Sequence, residues 1–395
     1  MSLKETLFLE FPRDWTEPTG AGVVARRKAL WHLLSPSVKR TMHQMLPSIR
    51  EARATVIGKY LSPLEDEVEL AADVELADTS AQLLRAASIT RQDPIRIQQR
   101  YEALQLWDMA TALAVLAEDD PLTRVRADLR RLVDLFRQKI FAPASLWVNT
   151  WSYHDPTDEL RVRHVALRDP LPKMDQGQWL RRHSPLNFRV TADGQLVSFH
   201  HRDKHVFGVW LKVYRQLHDA TRVYTDPYVV TDRCGIKLIV PTVEDVQRVV
   251  DQIADALAHR KVQGSIRKVY SNLGATKLMN GANSHSSPHY HAAKYQLFAW
   301  SREYELQVTT LADYYASRYA LGSENHLLYR LDQILEVFGP LLFPTAVYNS
   351  IDWTSPELRS ILMGQAVGKL VWQFSPRIQH RLTQSAMQTW LSSPS

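Results

Sequence analysis

A change of hydrophobic period at Pro143 constrains the fold more than any other feature of the sequence. From Val23 to about Ala142, apolar residues recur at helical spacing. Ser35-Pro36, Asp93-Pro94 and Asp120-Pro121 each place a capping residue before a proline. The capping oxygen accepts from the first turn's backbone, and proline's fixed φ and missing N–H suit the first helical position. Ile97, Tyr101, Leu104, Trp107 and Leu113 mark one inner stripe, and Leu129, Leu132, Val133, Phe136 and Ile140 another. Arg and Lys cover the opposite face. The pattern predicts four or five helices in a bundle or an arm, and it contains no catalytic motif.

Beyond Pro143 the pattern mixes strands and helices. Leu160, Val162 and Val165 suggest an extended segment, and residues Asn187 to His200 alternate about the turn Ala192-Asp193-Gly194. Lys204 to Leu217 reads as a helix. Ile236 to Val240 is a β-branched apolar run, expected to be a buried strand. A helix follows Pro241-Thr242, with Val243, Val246, Val249, Ile253 and Leu257 as its inner stripe, and Ser265 to Tyr270 reads as a strand. Ala275 to Ser287 is polar and predicts a loop; Lys294 to Phe298 and Tyr304 to Val308 form a second hairpin about Ala299–Glu303. Helices follow from Leu311, broken at Gly339-Pro340 and Pro344, then near Pro356 and Pro376. The fold class expected is α+β, a mixed sheet flanked by helical N- and C-terminal regions. The expected division is 1–145 (helical), 146–325 (sheet domain) and 326–395 (C-terminal helices).

A length of 395 residues suits two or three domains, and 11 Trp with 15 Tyr argue against disorder. No apolar run is long enough to span a bilayer, so no membrane partner is expected. The first residues, Met1-Ser2-Leu3-Lys4-Glu5, lack the design of a secretory signal, and a cytoplasmic location is expected. A single cysteine, Cys234, excludes an intramolecular disulfide and any multi-cysteine zinc site. The net charge of +6 suits either a solvated cationic surface or an anionic partner such as nucleotide or RNA.

The residues that could carry chemistry lie between 200 and 310. Arg202, Lys204 and Lys212 offer three cations for a triphosphate. Arg202 and Lys204 share a face if extended, while Lys204 and Lys212 lie eight apart, about two helical turns. Phosphoryl transfer leans on such clamps because its transition state is chiefly a problem of placing charge. Asp232 precedes the 236–240 strand and Glu305 lies in another; two carboxylates on adjacent strands suit Mg²⁺, and one could deprotonate an attacking hydroxyl. Tyr290, beside the polar loop, could stack on a base. Each also suits a plainer role: Lys204 and Lys212 a solvated helix face, Asp232 a turn cap, Glu305 a cross-strand ion pair, Tyr290 half-buried core. His285, His289 and His291 lie close together, but no cysteine or second ligand set accompanies them. No G-x-S-x-G and no P-loop pattern is present.

In order and spacing, four segments resemble the synthetase domain of the RelA/SpoT pyrophosphokinase family. They are His201–Lys212, Thr231–Val240, Pro288–Lys294 and Tyr304–Thr310. The family pattern R-x-K-h-x-x-S-x-x-x-K is matched by Arg202, Lys204 and Lys212, with Gly208 in place of Ser. D-x-x-[GA]-I-R is matched by Asp232, Gly235 and Ile236, with Lys237 in place of Arg. G-Y-x-[SA]-x-H is matched by Tyr290, with His289 for Gly and Lys294 for His. E-[IV]-Q-[IV]-R-T is matched by Glu305, Gln307 and Thr310, with Thr309 for Arg. The resemblance covers about residues 185–320.

What the resemblance implies is a nucleotidyltransferase-like mixed sheet and an ATP-dependent diphosphotransferase, a transferase of alarmone synthesis and the stringent response. It implies Arg202, Lys204 and Lys212 on ATP, with Asp232 and Glu305 catalytic and holding Mg²⁺. Tyr290, Lys237, Lys294 and Gln307 would face the acceptor. That acceptor is a guanine or adenine nucleotide, or the 3′ end of tRNA in the family's toxins, and a regulatory or antitoxin protein is an implied partner. A catalytically degenerate interaction protein is the third reading. The departures cluster on the acceptor side; Lys237 in particular keeps the charge but loses arginine's bidentate fork. The hydrolase of the family's long members is not expected here, since His154-Asp155 and His218-Asp219 lack a helical partner set.

Overall fold

The computed structural model describes residues 2–16, 20–89, 93–154, 162–166, 179–218, 226–230, 232–273, 291–321, 325–372 and 376–392. The fold class is α+β. In chain order the principal helices are α1 (Gly20–Leu33), α2 (Pro36–Tyr60), α3 (Ser80–Ala87), α4 (Pro94–Asp119), α5 (Leu122–Lys139), α6 (Val206–His218), α7 (Glu244–Ala258), α8 (Leu311–Tyr319), α9 (His326–Gln333), α10 (Pro356–Val371) and α11 (Pro376–Ser392). The strands are β1 (Phe141–His154), β2 (Val162–Ala166), β3 (Trp179–Thr191), β4 (Leu196–Asp203), β5 (Cys234–Val240), β6 (Ser265–Ser271), β7 (Ala293–Ala299) and β8 (Arg302–Thr310). The chain divides into two compact units, each assembled from separate stretches. The helical unit takes residues 1–126, 204–230 and 338–354; the sheet unit takes 127–203, 231–337 and 355–395.

In the helical unit two of the sequence's three capping signals are realised, while the helix expected from Asp120-Pro121 begins at Leu122. Ser35 Oγ accepts from the Val38 amide and an Asp93 carboxylate oxygen from the Arg96 amide, starting α2 and α4. Contrary to a one-sided stripe, α4 is buried all round from Gln99 to Leu116. Its inward polar groups survive because they are paired. Arg27, fully buried, donates to Asp108 and Asp14, while the Trp15 indole N–H donates to Asp108 at 2.7 Å. Glu102, also fully buried, accepts from Arg53 at 3.2 Å, the Tyr348 hydroxyl at 2.8 Å and the Ala71 amide at 2.8 Å. The Tyr101 hydroxyl donates to Leu341 and Leu342 carbonyls, so the 338–354 stretch is tied to α4 by hydrogen bonds as well as packing.

The sheet unit holds one mixed sheet in the order β2-β1-β3-β4-β5-β8-β7-β6. Only the β5–β8 pair is parallel among these ladders. Both expected hairpins form: Gly194, at φ 84°, closes β3–β4, and Trp300 and Ser301 close β7–β8. Such left-handed turns cost a glycine least. The switch from helix to strand falls slightly earlier than expected, with α5 ending at Lys139. β1 begins at Phe141, so Pro143 lies inside a strand rather than ending helical structure before the sheet. The β1–β3 register shifts between Phe141 and Ser145, the kind of irregularity that tolerates a residue without an N–H.

Alternation assigns the two faces. Ile236, Leu238, Tyr295, Leu297, Leu306 and Val308 are buried on one face, which receives the stripe Val246, Val249, Ile253 and Leu257 of α7. On the other face Phe188 and Ile239 pack against Leu311, Tyr314 and Tyr315 of α8. That helix has nine residues, about 14 Å of length, and stands over the Ile239 end of β5.

Candidate functional site

Beside α8 the same face turns polar. Register aligns two rows of side chains across five strands. The first row is His200 (β4), Lys237 (β5), Gln307 (β8), Lys294 (β7) and Tyr270 (β6). The second is Arg202, Gly235, Glu305, Gln296 and Arg267. Gly235 has a role in this arrangement: a Cβ there would lie 3.6 Å from Arg202 Nε and 3.7 Å from its Cγ. The arginine therefore lies across the glycine, on the strand that pairs Gly235 with Glu305.

Glu305 accepts a hydrogen bond from Gln307 Nε2 at 2.7 Å, which fixes one carboxylate oxygen. Lys237 Nζ stands 6.0 Å from the Tyr314 ring centre, and the Arg318 guanidinium covers the same ring at 4.7 Å. The Lys237 amine is pushed down to about 8, first by burial, then by Arg202 and Arg318; Glu305 opposes the shift and Lys294 adds to it. His200, stacked on Tyr314, is also pushed down, by burial and then by Arg318 and Lys237. The site is thus a cluster of like charges with one hydrogen-bonded carboxylate among them. Such a cluster favours an anionic ligand that neutralises it.

The structure brings together Arg202, Lys237, Glu305, Gln307 and Lys294 of the residues expected from sequence. Asp232 is half-buried in the turn before β5, three residues ahead of the glycine paired with Glu305. Lys204 and Lys212 belong to the helical unit, where Lys212 lies on α6. Gly208 on α6 serves Lys204: a Cβ there would press on Lys204 Cγ at 3.2 Å, so the missing side chain leaves room for the lysine stem. Tyr290, with His285 and His289 and the 275–287 loop, lies outside the described residues, as does Leu160. Thr309, standing where the resemblance expects arginine, is fully buried and donates to the His291 carbonyl at 3.1 Å.

Sequence reasoning missed Arg318, His200, Gln296 and Tyr270. Arg318 is four residues after Tyr314 on α8, so both project to one side. It supplies a cation to the face on which Thr309 has none. The usable signal was the i, i+4 spacing directly after the last motif; His200 and Tyr270 become visible only once the strand register is known.

Mg²⁺ is the ion that the resemblance expects here. Its preference is for one or two carboxylates plus substrate phosphates rather than an all-protein cage. Among the described residues no group of three or more His, Cys, Asp or Glu side chains could hold a metal ion. Asp232 and Glu305 are the two carboxylates that the resemblance assigns to such an ion. No helix among the described residues is long and apolar enough to cross a membrane. No family model matches the chain, no curated protein matches it, and no solved structure matches it.

Proposed function

We propose that the chain is an ATP-dependent pyrophosphokinase of the RelA/SpoT synthetase type, transferring pyrophosphate from ATP to a hydroxyl of a guanine or adenine nucleotide. The observation that carries this reading is the single in-register face on which Arg202, Lys237 and Lys294 surround Glu305. Phosphoryl transfer needs such placement of positive charge around the transferred group and one base for the attacking hydroxyl. Arg202 and Lys237 neutralise the charge spread over the phosphoryl oxygens. Glu305, oriented by Gln307, takes the proton of the acceptor hydroxyl. Lys294, next to Gln307 in its row, faces the acceptor. Mg²⁺ held by Asp232 and Glu305 would supply further charge neutralisation on the phosphates.

A second acceptor, the 3′ end of an RNA such as tRNA, is favoured by one observation: the edge strand β6 carries exposed Arg267 and Lys268. A growth-arresting toxin with an antitoxin partner would follow from that reading.

The test is incubation with labelled ATP, Mg²⁺ and each candidate acceptor: GDP, GTP, ADP, ATP and deacylated tRNA. A pyrophosphorylated product is expected, lost in Glu305→Ala and reduced in Arg202→Ala and Lys237→Ala. No product with any acceptor defeats the proposal and leaves a binding protein on a synthetase-like sheet.

A further inference from the structure

An aromatic side chain on β6, the last strand in the described sheet, has been turned onto the polar face. In β6 the register shifts between Lys268 and Tyr270: Arg267 pairs with Gln296, Lys268 with Tyr295, and Tyr270 with Lys294. Val269 is the extra residue, and it is exposed. In a regular strand Lys268 and Tyr270 would share a face, opposite to Arg267. The bulge reverses this and puts Tyr270 with Arg267, beside Lys294 and Gln296. Bulges re-aim side chains in this way and are over-represented next to active sites.

Tyr270 is half-buried, and Lys294 Nζ lies 5.1 Å from its ring centre. Lys294 comes from β7, the one strand that pairs with β6 among the described residues. The ring therefore has a cation on its β7 side and, among the described residues, no strand on the other. Tyr270 stands two strands from Glu305 and one row along. Two strand spacings of about 4.8 Å and two residues of about 3.4 Å rise put their Cα atoms about 12 Å apart. A ribose with its base fills that distance once the two side chains reach inward.

We propose that Tyr270, braced by Lys294, is a stacking platform for the nucleobase of the acceptor nucleotide, with the acceptor's sugar directed toward Glu305. The proposal rests on the reading of this face as a pyrophosphokinase site, and it names a residue that determines acceptor binding. A planar base suits the position because every base has a π face, whereas the neighbouring cations take phosphates. Arg267, exposed on the same face and bonded to Gln296, continues the cationic row to the sheet edge. A phosphate carried by the acceptor is held there.

The experiment is equilibrium binding to the full chain in EDTA, where no transfer occurs, using GDP, ADP, a short oligoribonucleotide with a free 3′ end, and inorganic triphosphate as the base-free control. Tyr270→Ala is expected to weaken nucleotide or oligonucleotide binding about 5- to 150-fold. Triphosphate binding should be unchanged, and Tyr270→Phe should behave as the parent protein. A larger loss with the oligonucleotide than with GDP and ADP assigns the platform to RNA ends; the reverse assigns it to free nucleotides. A loss below twofold for every base-containing ligand overturns the proposal, as does an equal loss for triphosphate. Failure of the transfer assay alongside a Tyr270-dependent affinity removes the pyrophosphokinase reading and leaves the platform standing. Transfer that is indifferent to Tyr270 does the opposite.

Discussion

Binding of a polyphosphate to the sheet face should draw a proton from solution onto Lys237. In the free protein this amine titrates at about 8, against an ordinary value of 10.5. The difference corresponds to about 3 kcal/mol paid to keep the ammonium charged below pH 8. The folded-state value is the lower one. The unfolded chain therefore binds more protons between about pH 8 and 10.5, and this group's penalty on stability fades as pH rises through that window. An anion seated among Arg202, Lys237 and Lys294 offsets the like-charge repulsion and returns the amine toward its ordinary value. In the limit of full return, uptake is close to zero at pH 6.5, about half a proton at pH 8 and about 0.9 proton at pH 9. ATP is the suitable ligand, because its phosphates are already deprotonated at pH 8 to 9. The assay is isothermal titration calorimetry in EDTA, repeated in buffers of different ionisation enthalpy, which reports the protons exchanged. Lys237→Gln should lose the pH-dependent part of the uptake and keep any background. Uptake that is flat between pH 6.5 and 9, or equal in Lys237→Gln, would refute the reasoning.

Two further predictions concern stability. Glu102→Ala leaves the buried Arg53 without its carboxylate and should cost about 3–5 kcal/mol in urea unfolding, whereas Arg53→Met combined with Glu102→Leu should cost far less; a loss below about 1 kcal/mol for the single variant would show that the pair is not buried as described. Gly264→Ala would press a Cβ into the Phe298 carbonyl oxygen, a backbone atom that cannot swing away. It should lower stability by about 1–3 kcal/mol, while Gly22→Ala in α1, with nothing within 4 Å, should gain up to about 1 kcal/mol; thermal unfolding ranks the two.

What the sequence determined by itself is local. Ser35 and Asp93 announce helix starts because a cap needs only the next three residues, and the turn at Asp193-Gly194 needs only itself. The apolar run through Ile236 and Leu238 is a buried strand because both its faces are covered, and Glu305 and Gln307 lie on one face because strands alternate. Tertiary structure decided the rest. The pairing of Pro143's strand with β3 overrode the residue's reputation as a breaker, because the register is irregular where its missing N–H falls. The polar residues of α4 point inward because Arg27 and Arg53 come from distant stretches to meet them. Arg202 and Lys204, two apart in sequence, belong to different compact units, a division set by packing density and invisible to spacing. Arg318 and Tyr270 join the candidate site for a similar reason. One stands on a helix docked over Ile239, and the other is turned by a single bulged residue whose pairing depends on a strand more than twenty positions away.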